Sequence, residues 1–249
     1  MNDGSSTGPV PQPAVAARNL PARVDAVLFD AGGVLLDLDF AYLRRVLSGN
    51  EIDVTEEDLA RVEARARLEI DRGGESEPAL GWRDFFLLVL GRVGVPIARQ
   101  DRIVDTLWEA HQRVGLWTVA APGGPATVSR VRQAGMRVAV VSNAEGQVSR
   151  DLDVAGYAGL FETVVDSQLV GARKPDPEIF RIALGRLKLA PQNCVYVGDI
   201  PRIDVAGARA AGVAPVLVDR HGFHGESDTP RIRELRHLPA LLGLPGQVR

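Results

Sequence analysis

With 249 residues and 45% hydrophobic side chains, the chain has enough apolar material for a sizeable core in one large or two modest domains. A formal charge of -3 with 24% charged residues offers no basic field for nucleic acid and no polybasic segment for a membrane, and no apolar run approaches the roughly 20 residues of a membrane span. The single cysteine, Cys194, excludes an internal disulfide, and without a basic-then-apolar pattern at its start the chain reads as cytoplasmic.

In chain order, residues 1–20 are rich in Pro, Ser, Gly and Ala without periodicity and read as a disordered leader. A short apolar run over 24–29 reads as a buried strand that delivers Asp30 to a bend containing Gly32 and Gly33, which let the backbone approach a ligand closely. Asp37 and Asp39 read as solvated turn residues. From 40 to 119 the pattern becomes helical: Leu59, Val62, Ala66 and Ile70 recur at helical spacing, as do Ile103, Leu107, Ala110 and Val114. Thr55 before Glu56, Glu57 and Asp58 marks a helix start, and about four short-linked helices suggest a small antiparallel bundle.

Beyond the turn APGGP, strand and helix alternate. A helix is expected over 126–133 and a strand over 137–141, ended by Ser142 and Asn143. Helical pattern over 147–157 precedes a strand over 163–165, and Lys174 stands before a helix capped by Asp176 with Pro177 at its first position. The strand over 194–197 runs into Gly198 and Asp199, followed by Asp204 and an Ala/Gly-rich helix; 215–218 is the last clear strand. The tail from residue 219 reads as irregular, apart from a short helix near 238–242. Repeated strand-helix units with short loops predict an α/β fold, a parallel sheet covered on both faces.

Four polar signals stand at or just after predicted strand ends: Asp30, Ser142, Lys174, and the pair Asp199 and Asp204. Converging carboxylates repel unless a cation joins them, and an oxygen ligand set suits Mg2+. A hydroxyl and an ammonium in the same crevice supply what a phosphate dianion needs. The plain alternative, a buried ion network of Lys174 with the acids, leaves negative charge in excess.

These residues lie in motifs that resemble those of the haloacid dehalogenase (HAD) superfamily, in its phosphohydrolase branch with a helical cap inserted after the first motif. FDAGGVLLD resembles the first motif, VVSN the second, the lysine of ARKPDP the third and VGDIPRIDVAGA the fourth; the resemblance spans residues 24–218. It implies a Rossmann-like three-layer core made of 21–39 and 120–249, with a helical cap domain at 40–119. It also implies that Asp30 is a nucleophile passing through an aspartyl-phosphate and that Lys174 neutralises charge on nucleophile and phosphate. Ser142 and Asn143, with Lys174, would bind the phosphate. Mg2+ would be held by Asp30, the Gly32 backbone carbonyl and Asp199, with Asp204 a further ligand or an acid behind them. The expected substrate is a small phosphorylated metabolite, and the expected state a monomer or homodimer.

One position departs from the pattern. Most phosphatases of the superfamily carry a second aspartate, an acid-base residue, where this chain has Gly32. Three readings follow: a magnesium-dependent phosphatase that handles its proton otherwise, a 2-haloacid dehalogenase, or a catalytically idle binding or regulatory relative. The intact Gly198, Asp199 and Asp204 favour the first, because dehalogenases normally replace the glycine-aspartate with serine and asparagine.

Other candidates read more plainly. Trp82, Phe85, Phe86, Trp108 and Trp117 are expected in the bundle core, and His111 at an ordinary helix position, although it could face the site. Arg44 and Arg45 could reach an anionic substrate but fit a solvated helix face. His221 and His224 read as surface histidines, and Cys194 as a small buried hydrophobe.

Overall fold

The computed structural model describes residues 19–73, 81–225 and 227–245. Its strands are β1 (Ala26–Phe29), β2 (Leu36–Asp37), β3 (Val119–Ala120), β4 (Arg137–Ser142), β5 (Thr163–Asp166), β6 (Cys194–Gly198), β7 (Ala214–Val218) and β8 (Arg231–Ile232). Six of them form one parallel sheet in the order β5-β4-β1-β6-β7-β8. The apolar runs of β1, β4 and β6 are buried on both faces, as parallel strands under helices must be.

Alternation along these strands feeds two separate cores. Val27, Phe29, Val138, Val140, Val195 and Val197 face one layer, and Ala26, Leu28, Ala139, Val141, Cys194 and Tyr196 the other. A third core belongs to the bundle of α1 (Phe40–Ser48), α2 (Glu56–Arg72), α3 (Trp82–Val93) and α4 (Ile97–Val114). The first sheet face is covered by α5 (Gly124–Gln133) and α6 (Val148–Leu152). After α7 (Ser167–Val170), the helices α8 (Glu178–Leu187) and α9 (Ala206–Ala210) cover the second face, and α10 (Leu238–Leu241) returns to the first. Thr55 accepts from the Asp58 backbone N–H at the start of α2, as its sequence context predicts. No helix among the described residues is long and apolar enough to cross a membrane.

Several details differ from the sequence expectations. Asp39 is the cap of α1, accepting a hydrogen bond from the Tyr42 backbone, and Asp37 lies in β2 and pairs with Arg220. The helix expected over 147–157 is α6 only as far as Leu152, with an irregular turn to Tyr157 containing Gly156 at φ +87°. The tail adds β8 to the sheet edge. The two chain crossings between sheet and bundle pair as an antiparallel ribbon, Leu36 opposite Ala120 and Asp37 opposite Val119. The leader expectation falls almost wholly on residues 1–18, outside the described residues.

Candidate active site

The strand order reverses around β1: β4 lies on one side and β6 on the other, so loops leaving the carboxyl ends of β1, β4 and β6 open one crevice. Asp30 follows β1 directly, its backbone N–H still donating to Val197 O at 2.8 Å. Asp30 Oδ1 accepts from the Ala31 N–H at 2.7 Å and from Lys174 Nζ at 2.8 Å. Oδ2 has no hydrogen-bond partner among the described residues, and Asp30 lines a cavity of about 170 Å³. Burial raises the Asp30 pKa, a shift that Lys174 opposes and Asp204 reinforces.

Lys174 is the junction of the polar centre. Its ammonium, on a side chain 1% exposed, also donates to Asp204 Oδ1 at 2.8 Å and to the Tyr196 hydroxyl at 2.7 Å. Burial works against its charge, but the two carboxylates outweigh that and raise its pKa. Burial likewise works against ionised Asp204, yet Lys174, the Ile200 N–H and Tyr196 together hold its pKa below the usual range. Asp204 Oδ2 accepts from the backbone N–H groups of Asp199 and Ile200 at 3.0 and 2.9 Å, so both its oxygens are engaged by protein donors. Gly198 is required beneath it, because a Cβ there would overlap the Asp204 side chain.

Asp30, Asp199 and Asp204 each offer an oxygen within 4.8 Å of the others. Asp199 Oδ1 is buried without a hydrogen-bond partner, a donor atom that suits a hard cation. Burial pushes the Asp199 carboxyl up to about 7, against the pull of Arg67. Gly33 rather than Gly32 is the conformationally demanding glycine: its φ is +82°, and a Cβ on it would overlap Asp199 Oδ2.

Ser142, at the end of β4, lines the cavity with a hydroxyl that bonds no described group. The Asn143 side chain, expected on the phosphate, is committed elsewhere: it donates to Lys174 O at 3.0 Å and accepts from Lys174 N–H at 2.8 Å. It therefore fixes the lysine backbone. Arg44 and Arg45 are exposed, and neither lines the cavity. Trp82, Phe85 and Trp117 line the cavity as well as packing in the bundle, whereas Phe86 is fully buried and Trp108 is half-exposed. His111 is buried and lines the cavity. His221 and His224 flank a different cavity, and Cys194 is buried with its thiol pKa pushed up to about 11.

A model of the haloacid dehalogenase-like hydrolases matches residues 24–212. The chain belongs to this family. A phosphoserine phosphatase of Thermus thermophilus is 35% identical over 136 residues, 54% of this chain and 53% of that protein. A phosphatase of Mycobacterium tuberculosis is 27% identical over 235 residues, 88% of this chain and 97% of that one. The chain spans about half the length of the curated relatives it matches at 35% identity. Among solved structures, a HAD-hydrolase of Bacillus subtilis bound to magnesium superposes with a TM-score of 0.67 at 19% identity, covering 89% of this chain and all of that one, which shows the shared fold.

Three residues of this HAD hydrolase escaped the sequence reading. Arg67, on α2, reaches from the bundle to the sheet, where its Nη1 lies 3.0 Å from Asp199 Oδ2 and 3.4 Å from Gly32 O. Glu63, one turn earlier, pairs with it from behind. Tyr196 sits inside a buried strand and brings its hydroxyl to Lys174 and Asp204.

Proposed function

We propose that the chain is a magnesium-dependent phosphatase of small phosphorylated metabolites, with the bundle as a cap over the site. The observation that carries this reading is the state of Asp30, one oxygen pinned by Ala31 and Lys174 and the other left unbonded at the cavity. The phosphatase names of two relatives support it. In this reading Asp30 Oδ2 attacks phosphorus, the bond from phosphorus to the leaving oxygen breaks, and the departing alkoxide takes a proton. Water then attacks the aspartyl-phosphate at phosphorus, returning phosphate and the free carboxylate.

Lys174 neutralises charge shared by the nucleophile and the transferring group, and Ser142 donates to a phosphoryl oxygen. Asp30, the Gly32 carbonyl and Asp199 would hold Mg2+, which supplies charge stabilisation at the phosphoryl oxygens when bound. Asp204, with both oxygens taken, serves as a positioning residue: it fixes Lys174 and the Asp199 backbone. The test is phosphate release from an aryl phosphate with and without Mg2+, beside chloride release from a 2-haloacid. Phosphate release that needs Mg2+ and vanishes in Asp30→Asn is expected. Chloride release without Mg2+ would assign the dehalogenase reading, which the Arg67 charge on Asp199 favours.

A further inference from the structure

The bundle side of the cavity presents Trp82, Phe85, His111 and Trp117. His111 is 3% exposed, yet neither ring nitrogen has a hydrogen-bond partner among the described residues. Its Nε2 stands 3.5 Å from Glu145 Oε2, a group from the sheet side of the cavity. The imidazole stacks on Trp82, centroids 5.5 Å apart at 28°, and meets Trp117 edge-on at 5.8 Å. The indole nitrogens of Trp82 and Trp117 are also buried without partners.

A buried polar group left unpaired has lost its water with nothing in return. Two indole N–H groups in this condition, beside an imidazole whose nearest polar group is the Glu145 carboxylate at 3.5 Å, are costly on one cavity wall as packing alone. Their arrangement instead matches a ligand that is flat and apolar in body and carries a polar atom at its edge. A polyhydroxylated leaving group fits poorly, since each hydroxyl needs a partner. The Asn143 side chain is held by the Lys174 backbone, Asp151 is paired with Arg150 and Arg67 with Asp199, which leaves Glu145 and Arg173 as the charged side chains of the lining outside the Lys174 centre, beside apolar Ile70 and Ile203.

We propose that this region is the leaving-group subsite, and that it takes an aromatic ring bearing a hydroxyl or carbonyl oxygen, bonded by His111 and the two indole N–H groups. The assignment rests on the phosphatase reading above. Ring stacking on Trp82 and Trp117 would supply the affinity, and the polar edge the selectivity.

The experiment compares 2-phenylethyl phosphate, its ring-hydroxylated counterpart and a hexose 6-phosphate. The hydroxylated compound should exceed the bare ring about tenfold in kcat/KM, as expected for one hydrogen bond in a buried site, and exceed the hexose phosphate by more. His111→Phe should raise KM about tenfold more for the hydroxylated ring than for the bare one, with kcat nearly unchanged, and His111→Gln should recover part of the difference. Trp117→Phe, which keeps the ring and removes the N–H, reads the same ratio if the histidine variant fails to fold. Calorimetric titration of the same three compounds into Asp30→Asn reports the ranking without turnover. Turnover with the hexose phosphate preferred, or variants that move both ring compounds equally, overturns the subsite and leaves the phosphatase reading intact. The ranking seen by calorimetry with no phosphate released from any compound does the reverse.

Discussion

The guanidinium of Arg67 and the carboxylate of Asp199 meet at 3.0 Å across the junction of bundle and sheet. The same nitrogen lies 3.4 Å from the Gly32 carbonyl, so one cationic side chain touches two of the three groups proposed to hold the divalent ion, the Gly32 oxygen itself and Asp199 through Oδ2 beside the unbonded Oδ1. Arg67 and that ion therefore compete for the same ligands. Arg67→Met should tighten Mg2+ or Mn2+ binding at pH 8 by about ten- to a hundredfold, the range set by one hydrogen bond to a charged group. Electron paramagnetic titration of Mn2+ checks this, and unchanged affinity would show that the guanidinium leaves the site at no cost.

Asp199 sets a pH dependence of its own. With its pKa near 7 in the folded chain and 3.8 as the ordinary value, the native state keeps a proton that the unfolded chain has released between about pH 4 and 7. In chelator-treated protein this contribution to stability is complete below pH 4, falls as pH rises to 7 and is level above. Metal binding needs the ionised form, so apparent Mg2+ affinity should climb up to about tenfold per pH unit below 7 and flatten above it. Calorimetry at pH 6, 7 and 8 reads the slope.

Lys174 is the counterion of two buried acids, and removing it strands both. Lys174→Met should cost about 3–5 kcal/mol in urea unfolding, as loss of one partner from a buried ion pair does. Tyr196→Phe removes one neutral donor from the same knot and should cost about 0.5–1.5 kcal/mol. Equal costs would mean that the lysine charge is not what Asp30 and Asp204 rely on.

Position 32 has room for the acid it lacks. A Cβ there would stand 3.5 Å from the Trp117 indole and 3.7 Å from Arg67 Nη2, ordinary contacts, and Gly32 has no left-handed backbone to strain. Gly32→Asp should fold and place a carboxylate beside Arg67. Turnover of alkyl phosphates, whose leaving oxygen needs a proton, should rise about 100-fold or more, and that of aryl phosphates least. Steady-state kinetics across a leaving-group series decide it; a uniform change would mean that another residue already supplies the proton.

The sequence disclosed the parts of this site that sit at ends of buried strands. Asp30, Ser142 and Asp199 each interrupt an apolar run, and an interruption there is visible without a structure. Arg67 was not visible because nothing local separates it from Arg44, Arg45 or Arg65; only the approach of α2 to Asp199 does. Tyr196 was hidden for the opposite reason, since a tyrosine in a buried strand counts as apolar until its hydroxyl finds a partner. The commitment of Asn143 depends on where the Lys174 backbone passes, a contact between residues 31 positions apart. Strands β2, β3 and β8 are two residues long, too short for any periodicity to show.

The ribbon of β2 and β3 also says how the bundle came to be tolerated. With Asp37 directly opposite Val119, the two ends of the inserted segment are already as close as the arms of a hairpin, and a tight two-residue turn would close the chain at that point. The two chain ends are thus held together independently of what hangs from them. Closure entropy grows only with the logarithm of loop length, about 0.6 kcal/mol per doubling, so this one doorway closes at nearly the same cost for insertions of very different size.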